Sequence, residues 1–375
     1  MNCTTRQGYR QHHELLQREL GQWGAGCQVS LTPMHQRIVH TLDWLDLQTL
    51  LGYAGKRPGA PERSRLALAH AFVAKAVLGL GQTKQLRERL LADPPLRRLL
   101  GFESKYKLPS EATFSRAFGG FARMGLPARM HETLIRTHLG GTLIGHIARD
   151  STAIKARERA VITPRAPKVA RRRGRKPAGA APSEPRSRIP AQLLQTAARA
   201  MAQLPTACNK GKKRDAHGNI NAWIGYKLHL DVACCGVPLA AALTSASVHD
   251  NQLSVPLARL SAQRVTSLYT LMDAAYDSEA LRQFERDLGH VPIVAINSRG
   301  RAEPPTLDAA EHKRFGVRTV VERINSRLKD GFACNSVWVK GHSKVLCHAM
   351  FAVLALSVDA LMRLMLYEPA PEPRT

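Results

Sequence analysis

Through the first 140 residues, apolar side chains recur at the three-and-four spacing of helices, most clearly over residues 40–52 and 66–80. Asp93-Pro94-Pro95 reads as a cap followed by a helix start, because proline is tolerated in a first turn. A second start comes at PSEATFSRAF, where Ser110 caps a helix that turns Phe114, Phe118 and Phe121 inward and Arg116 and Arg123 outward. Two short helices joined by a turn, the second carrying arginines, make a candidate helix-turn-helix with Arg116 as its DNA contact; a purely structural bundle would show the same turns.

Beyond residue 143 the period changes. LIGHIARDSTAI is a short apolar strand running to its end at Asp150. GYKLHLDVA alternates, with Tyr226, Leu228, Leu230 and Val232 on one face and Lys227, His229 and Asp231 on the other, where Asp231 is expected to meet solvent. GVPLAAALTSAS supplies the hairpin partner after Gly236. A helix capped by Asp250 is expected over residues 249–260, a buried strand SLYTLMD ends at Asp273, a helix covers 278–288 and a strand covers 291–297. One more helix carries RTVVERINSRLKD. Strands interleaved with helices in this order specify a mixed α/β domain after an α-helical N-terminal domain.

Residues 155–221 interrupt that pattern with a different composition. RAPKVARRRGRK, at 165–176, holds seven basic residues and no acid, and proline, glycine and alanine crowd the residues after it. Such a stretch buries too little apolar surface to offset its ordering entropy and is expected to be mobile. Arg171, Arg172, Arg173, Arg175 and Lys176 are its candidate DNA contacts, either as a generic phosphate tether or as a short arm entering the minor groove. The chain thus divides into residues 1–140, a mixed α/β domain over 141–366 interrupted by 155–221, and a tail at 367–375.

Charge then narrows the partner. Lys and Arg number 55 against 29 Asp and Glu, a formal net charge of +26. A chain so basic calls for a polyanion, and nucleic acid is the commonest one. Seven cysteines without a CxxC pair suggest neither zinc nor a disulfide framework and suit a reducing, cytoplasmic, nucleoid-associated setting. The run at 345–358 has 14 residues free of Asp, Glu, Lys and Arg; it is too short to span a bilayer and reads as a buried helix ended by Asp359, so no membrane partner is expected. No glycine-rich phosphate loop is present, which argues against a nucleotide cofactor.

Three acids carry the candidate chemistry. Asp150 and Asp273 at strand ends and Glu322 on the last helix converge on one edge of an open sheet. Three hard oxygen donors suit two Mg²⁺ ions, with Mn²⁺ as a substitute, arranged for in-line phosphoryl displacement. On the helix, Arg318 and Lys329 share the direction of Glu322, with Phe315 and Asn325 beside them, and all four are candidate DNA contacts. An ordinary i,i+4 ion pair between Arg318 and Glu322 is the plain alternative. Trp223 and Trp338 are of the type that stacks on unpaired bases, although core packing is the favoured reading for both. His146 and His229 read as satisfied polar residues, and His249 with Asp250 as a helix cap.

RDST at Asp150, GYKLHLDVA, TSASVHDNQ, MDAAYDS at Asp273 and the Arg318-Glu322-Lys329 spacing together resemble the DDE-type insertion-sequence transposases, over most of residues 100–360. The helix signature of that family is Tyr-x2-Arg-x3-Glu-x6-Lys. Phe315 stands where the tyrosine is usual, and a phenyl ring cannot hydrogen-bond a phosphate. The resemblance implies an RNase H-like catalytic domain in which Asp150, Asp273 and Glu322 bind two Mg²⁺ ions. It also implies double-stranded DNA as partner, both inverted-repeat ends and target, a homodimer on DNA, and cutting followed by joining of 3′-hydroxyl ends. Two other readings stay open: a nuclease of the same fold that never joins, and a catalytically inactive DNA-binding descendant.

Overall fold

The computed structural model describes residues 5–45, 47–51, 64–161, 188–214, 219–296 and 306–366. Eight helices come first: α1 (Arg6–Gly26), α2 (Pro33–Asp43), α3 (Leu47–Leu51), α4 (Arg65–Val77), α5 (Thr83–Ala92), α6 (Pro94–Leu99), α7 (Glu111–Met124) and α8 (Leu126–Leu139). Their starts reflect local chemistry. Asp93 caps α6 by accepting from the Leu96 N–H at 3.0 Å, with Pro94 in the first turn. Ser110 caps α7, which buries Phe114, Phe118 and Phe121 and leaves Arg116 and Arg123 exposed.

The mixed domain comprises β1 (Leu143–Ala156), α9 (Ile189–Leu193), α10 (Ala197–Ala202), β2 (Asn209–Arg214), β3 (Ile220–Ala233), β4 (Pro238–Ser245), α11 (Ser254–Ala262), β5 (Thr266–Met272), α12 (Glu279–Asp287) and β6 (Val291–Val294), then α13 (Ala309–Phe315), α14 (Thr319–Gly331), β7 (Ser336–Val337) and α15 (His342–Leu366). One seven-stranded sheet results. β3 lies antiparallel to β1 and to β4, whereas β5 runs parallel to β1 and β6 parallel to β5. β2 extends the first half of β3, and β7 adds a short parallel rung at the end of β1.

Several expectations need correction. Asp150 does not end its strand: β1 continues six residues further, to Ala156, because its antiparallel partner β3 is equally long. The second half of the segment read as a structureless insertion is ordered, forming α9, α10 and β2, since Lys210 and Lys212 find ladder partners in Ile224 and Ala222. Arg171, Arg172, Arg173, Arg175 and Lys176 lie outside the described residues. Asp231 does not face solvent; both faces of β3 are covered, and its carboxylate is fully buried against Arg149. Asp250 caps no helix. His249 caps a 3-10 turn at Asp250–Leu253, and Asp250 instead accepts from Lys227 Nζ at 2.8 Å. The helix expected around Glu322 is not continuous from Phe315 either, because a 3-10 turn at Gly316–Arg318 separates α13 from α14.

α15 binds the two halves together. It is 25 residues long and passes straight through Asp359, whose charge is met by Arg37, Arg327 and Arg363. By length and apolar composition alone it could cross a membrane, yet 83% of its apolar window is buried inside the fold. Phe351 of α15 sits 6.0 Å from Phe72 of α4, which meets Phe118 of α7 at 4.9 Å. A single apolar core therefore runs from the N-terminal helices through α15 to the sheet.

Candidate active site

The middle of β1 and the end of β5 lie side by side. Arg149 pairs with Met272 across the parallel β1–β5 ladder, so Asp150 and Asp273 stand one step beyond that rung. Neighbouring strands are about 4.8 Å apart at such a point. The backbone leaves β5 there: Asp273 adopts an extended conformation and caps the 3-10 turn Ala274–Tyr276, accepting from the Ala275 N–H at 3.0 Å.

Asp150 is only 7% exposed. Asn325 of α14 donates through Nδ2 to its Oδ2 at 3.1 Å. Burial pushes the Asp150 carboxyl up to about 6, and the nearby Asp273 charge adds to that; Lys213, the Ser151 N–H and Arg318 pull the other way. Lys329 of α14 is half-buried, and its ammonium is lowered by burial and by Lys213 and Lys155, against the pull of Asp150 and Asp330. A carboxylate edge and a basic surface thus meet at Asp150.

Two buried polar atoms near this edge lack hydrogen-bond partners among the described residues. One is Oδ1 of Asn325 and the other the hydroxyl of Tyr276. The Tyr276 ring is 1% exposed, and its hydroxyl is held well above the usual range by burial and by the charges of Asp250, Asp150 and Asp273. Buried polar groups are normally paired, so such atoms mark where a polar ligand would complete the site.

Glu322 lies on α14, the helix that carries Asn325 and Lys329. It is 53% exposed and accepts from Nη2 of Arg318 at 2.6 Å. Arg318 lies over the Phe315 ring at 5.8 Å, and its Nη1 is buried without a partner among the described residues. Among the described residues no group of three His, Cys, Asp or Glu side chains is arranged to hold a metal ion. Asp150 and Asp273 are neighbours across the β1–β5 ladder, while the carboxylate of Glu322 is held by Arg318, whose charge also acts on Asp150. The aspartate pair still fits Mg²⁺, which takes one or two carboxylates and completes its shell with water and phosphate.

The other candidate residues take varied places. Asn325, expected to reach DNA, is 7% exposed and turned onto Asp150, since α14 packs that side against β1. Phe315 and Lys329 stay at the surface end of the site. Arg116 is exposed on α7 and bonded to Thr113 Oγ1 at 3.2 Å. Trp338 is not core but 49% exposed, whereas Trp223 is half-buried and donates to the Tyr226 carbonyl at 3.1 Å. His229 bonds Thr244 Oγ1 at 2.9 Å, and His146 stacks on Tyr269. Lys213 and Tyr276 escaped sequence reasoning. The signals available were only the basic run NKGKKR and the tyrosine of MDAAYDS.

Two family matches bear on this arrangement. The Transposase DDE domain matches residues 142–358, more than half of the chain, and the Transposase domain (DUF772) matches residues 28–119. Among curated proteins and solved structures none matches this chain. The first match spans Asp150, Asp273 and Glu322 and every strand of the sheet, and the second covers α2 and most of the helices up to α7. The chain belongs to the DDE transposases of insertion sequences.

Proposed function

We propose that this transposase binds the inverted-repeat ends of its element, cuts the phosphodiester there, and joins the resulting 3′-hydroxyl ends to target DNA. The observation that carries the reading is the adjacency of Asp150 and Asp273 on one sheet edge, beside Arg318, Lys213 and Lys329. The strand order β4-β3-β1-β5-β6, with the first three antiparallel and the last three parallel, supports an RNase H-like core.

Asp150 and Asp273 would hold the divalent metal, with Glu322 joining them once Arg318 lets it go. Bound there, Mg²⁺ supplies Lewis acidity and an activated oxygen nucleophile for phosphoryl transfer. Asn325 fixes one oxygen of Asp150 and so orients the carboxylate. Nη1 of Arg318 has no partner among the described residues, so a DNA phosphate gives it a second acceptor and competes with Glu322 for it. Lys213 and Lys329 hold the backbone in register without reading bases. Reading would fall to the N-terminal helices, where Arg116 is exposed. Two copies would bring two ends together on DNA.

A strand-transfer assay tests this reading. End fragments selected by footprinting are incubated with the protein, Mg²⁺ and a supercoiled target. Joined products are expected. Nicking without joining points to a nuclease, and neither activity points to an inactive descendant.

A further inference from the structure

Trp338 is a large ring left 49% exposed, at a junction the catalytic chemistry does not use. β7 sets it there. Ser336 and Val337 pair with Lys155 and Ala156, and the Arg157 N–H donates to the Val337 carbonyl at 3.3 Å, so Arg157 and Trp338 leave the sheet together. The Arg157 guanidinium lies 5.5 Å from the ring centroid. The ring edge rests against the backbone of Gly81, where an added Cβ would come within 3.5 Å of it. Between the ring and α7 lies a cleft of about 270 Å³, bordered by Ser115, Lys340 and Lys344. Arg157, Lys340 and Lys344 are exposed and make no ion pair among the described residues; Glu111 is the one acid among the described residues at the border.

We infer that this cleft is a docking place for one unpaired nucleotide of DNA, its base against Trp338 and its phosphates against Arg157, Lys340 and Lys344. The inference rests on the transposition reading and adds where the strand runs. An exposed aromatic ring among unpaired cations is the arrangement that holds single strands, since every base offers a flat face. A cleft near the lower limit of small-molecule pockets, about 300 Å³, admits one flat ring and not a duplex. Basic side chains stand on the way from the cut. Lys329 feels Asp150, Lys213 and Lys155, and Arg157 lies two residues beyond Lys155 along the chain. Seven residues separate Asp150 from Arg157, a run of about 23 Å at roughly 3.3 Å per residue, or about seven nucleotides at about 3.4 Å each.

Fluorescence anisotropy with labelled single-stranded and duplex oligonucleotides at one fixed salt concentration tests it. Trp338→Ala is expected to weaken single-strand binding about tenfold and duplex binding less than twofold. Trp338→Phe keeps single-strand affinity within about threefold. An abasic site scanned along the single strand of a forked end is expected to weaken binding most about seven nucleotides from the cleaved bond. Equal losses on both DNA forms, or none, overturn the inference. Wild-type cutting of end DNA in Mg²⁺ is followed in parallel. If the wild type cuts while Trp338→Ala binds single strands normally, only the docking place falls; if it neither cuts nor binds, the transposition reading falls with it.

Discussion

Arg149 and Asp150 are consecutive residues of β1, both almost fully buried, and their charges are treated in opposite ways. The Arg149 guanidinium reaches Asp231 through two bonds at 2.7 and 2.9 Å and Glu285 through a third at 2.7 Å. Those acids are themselves met by others: Ser261 donates to Asp231, and Thr270 and His290 bond Glu285. Asp150 receives one side-chain bond, from Asn325, and burial lifts its carboxyl to about 6. Around it the Tyr276 hydroxyl, the Asn325 carbonyl oxygen and one Arg318 nitrogen go without partners among the described residues. A charge on one side of the strand is closed by protein; its neighbour is left open. Completeness of hydrogen bonding separates a structural ion cluster from a site that awaits a ligand.

That contrast can be broken first on its closed side. Arg149→Met leaves two buried carboxylates unpaired, and removing one partner of a buried pair costs about 3–5 kcal/mol. Urea unfolding is expected to register that loss; a midpoint within error of wild type would mean the cluster is not a structural tie.

Acid should act on the buried histidines. Burial lowers His131 and His348 to about 3 and His229 to about 4. A histidine whose folded value is depressed contributes stability above its unfolded value, near 6.5, and loses it as pH falls toward the folded value. Each of the three should therefore cost about 1.4 kcal/mol per pH unit below 6.5, down to about pH 4. Thermal melts between pH 7 and 5 are expected to fall steeply, and His229→Gln to fall less; a flat profile would contradict the buried neutral state.

On the open side the stability effects are small. Glu322→Gln removes an exposed i,i+4 pair and is expected to shift unfolding by only about 0.3–0.5 kcal/mol. The same change should abolish DNA cleavage if Glu322 joins the carboxylate pair. Full cleavage by Glu322→Gln would confine the chemistry to Asp150 and Asp273.

Much of the fold was legible along the chain, and the failures share a cause. Period-two alternation located β3, and the caps at Asp93 and Ser110 located α6 and α7, because these depend on local geometry. Asp273 was legible as an acid at the end of an apolar strand, whereas Asp150 was read at such an end and lies in the middle of β1. Asp231 was misjudged because alternation shows that a side faces away from the core, not whether a second layer covers it. α11 supplies that layer, with Ser261 bonded to Asp231, and Arg149 supplies the counter-charge. β2 was missed because NKGKKR has no apolar face of its own and gains its ladder only from β3. Long-range partners such as Arg149 for Asp231 and β3 for β2 leave no periodic trace, whereas the i,i+4 pair of Arg318 with Glu322 was legible as the plain alternative.

The central claim is that Asp150 and Asp273 form the seat of metal-dependent DNA cleavage. Its most direct test compares Asp150→Asn and Asp273→Asn with wild type in one assay, nicking of end-bearing DNA in Mg²⁺, with end binding followed by anisotropy. Each variant is expected to bind ends within about threefold of wild type while cutting falls about a thousandfold, a barrier increase of about 4 kcal/mol. Cleavage at wild-type rate by either variant would contradict the account.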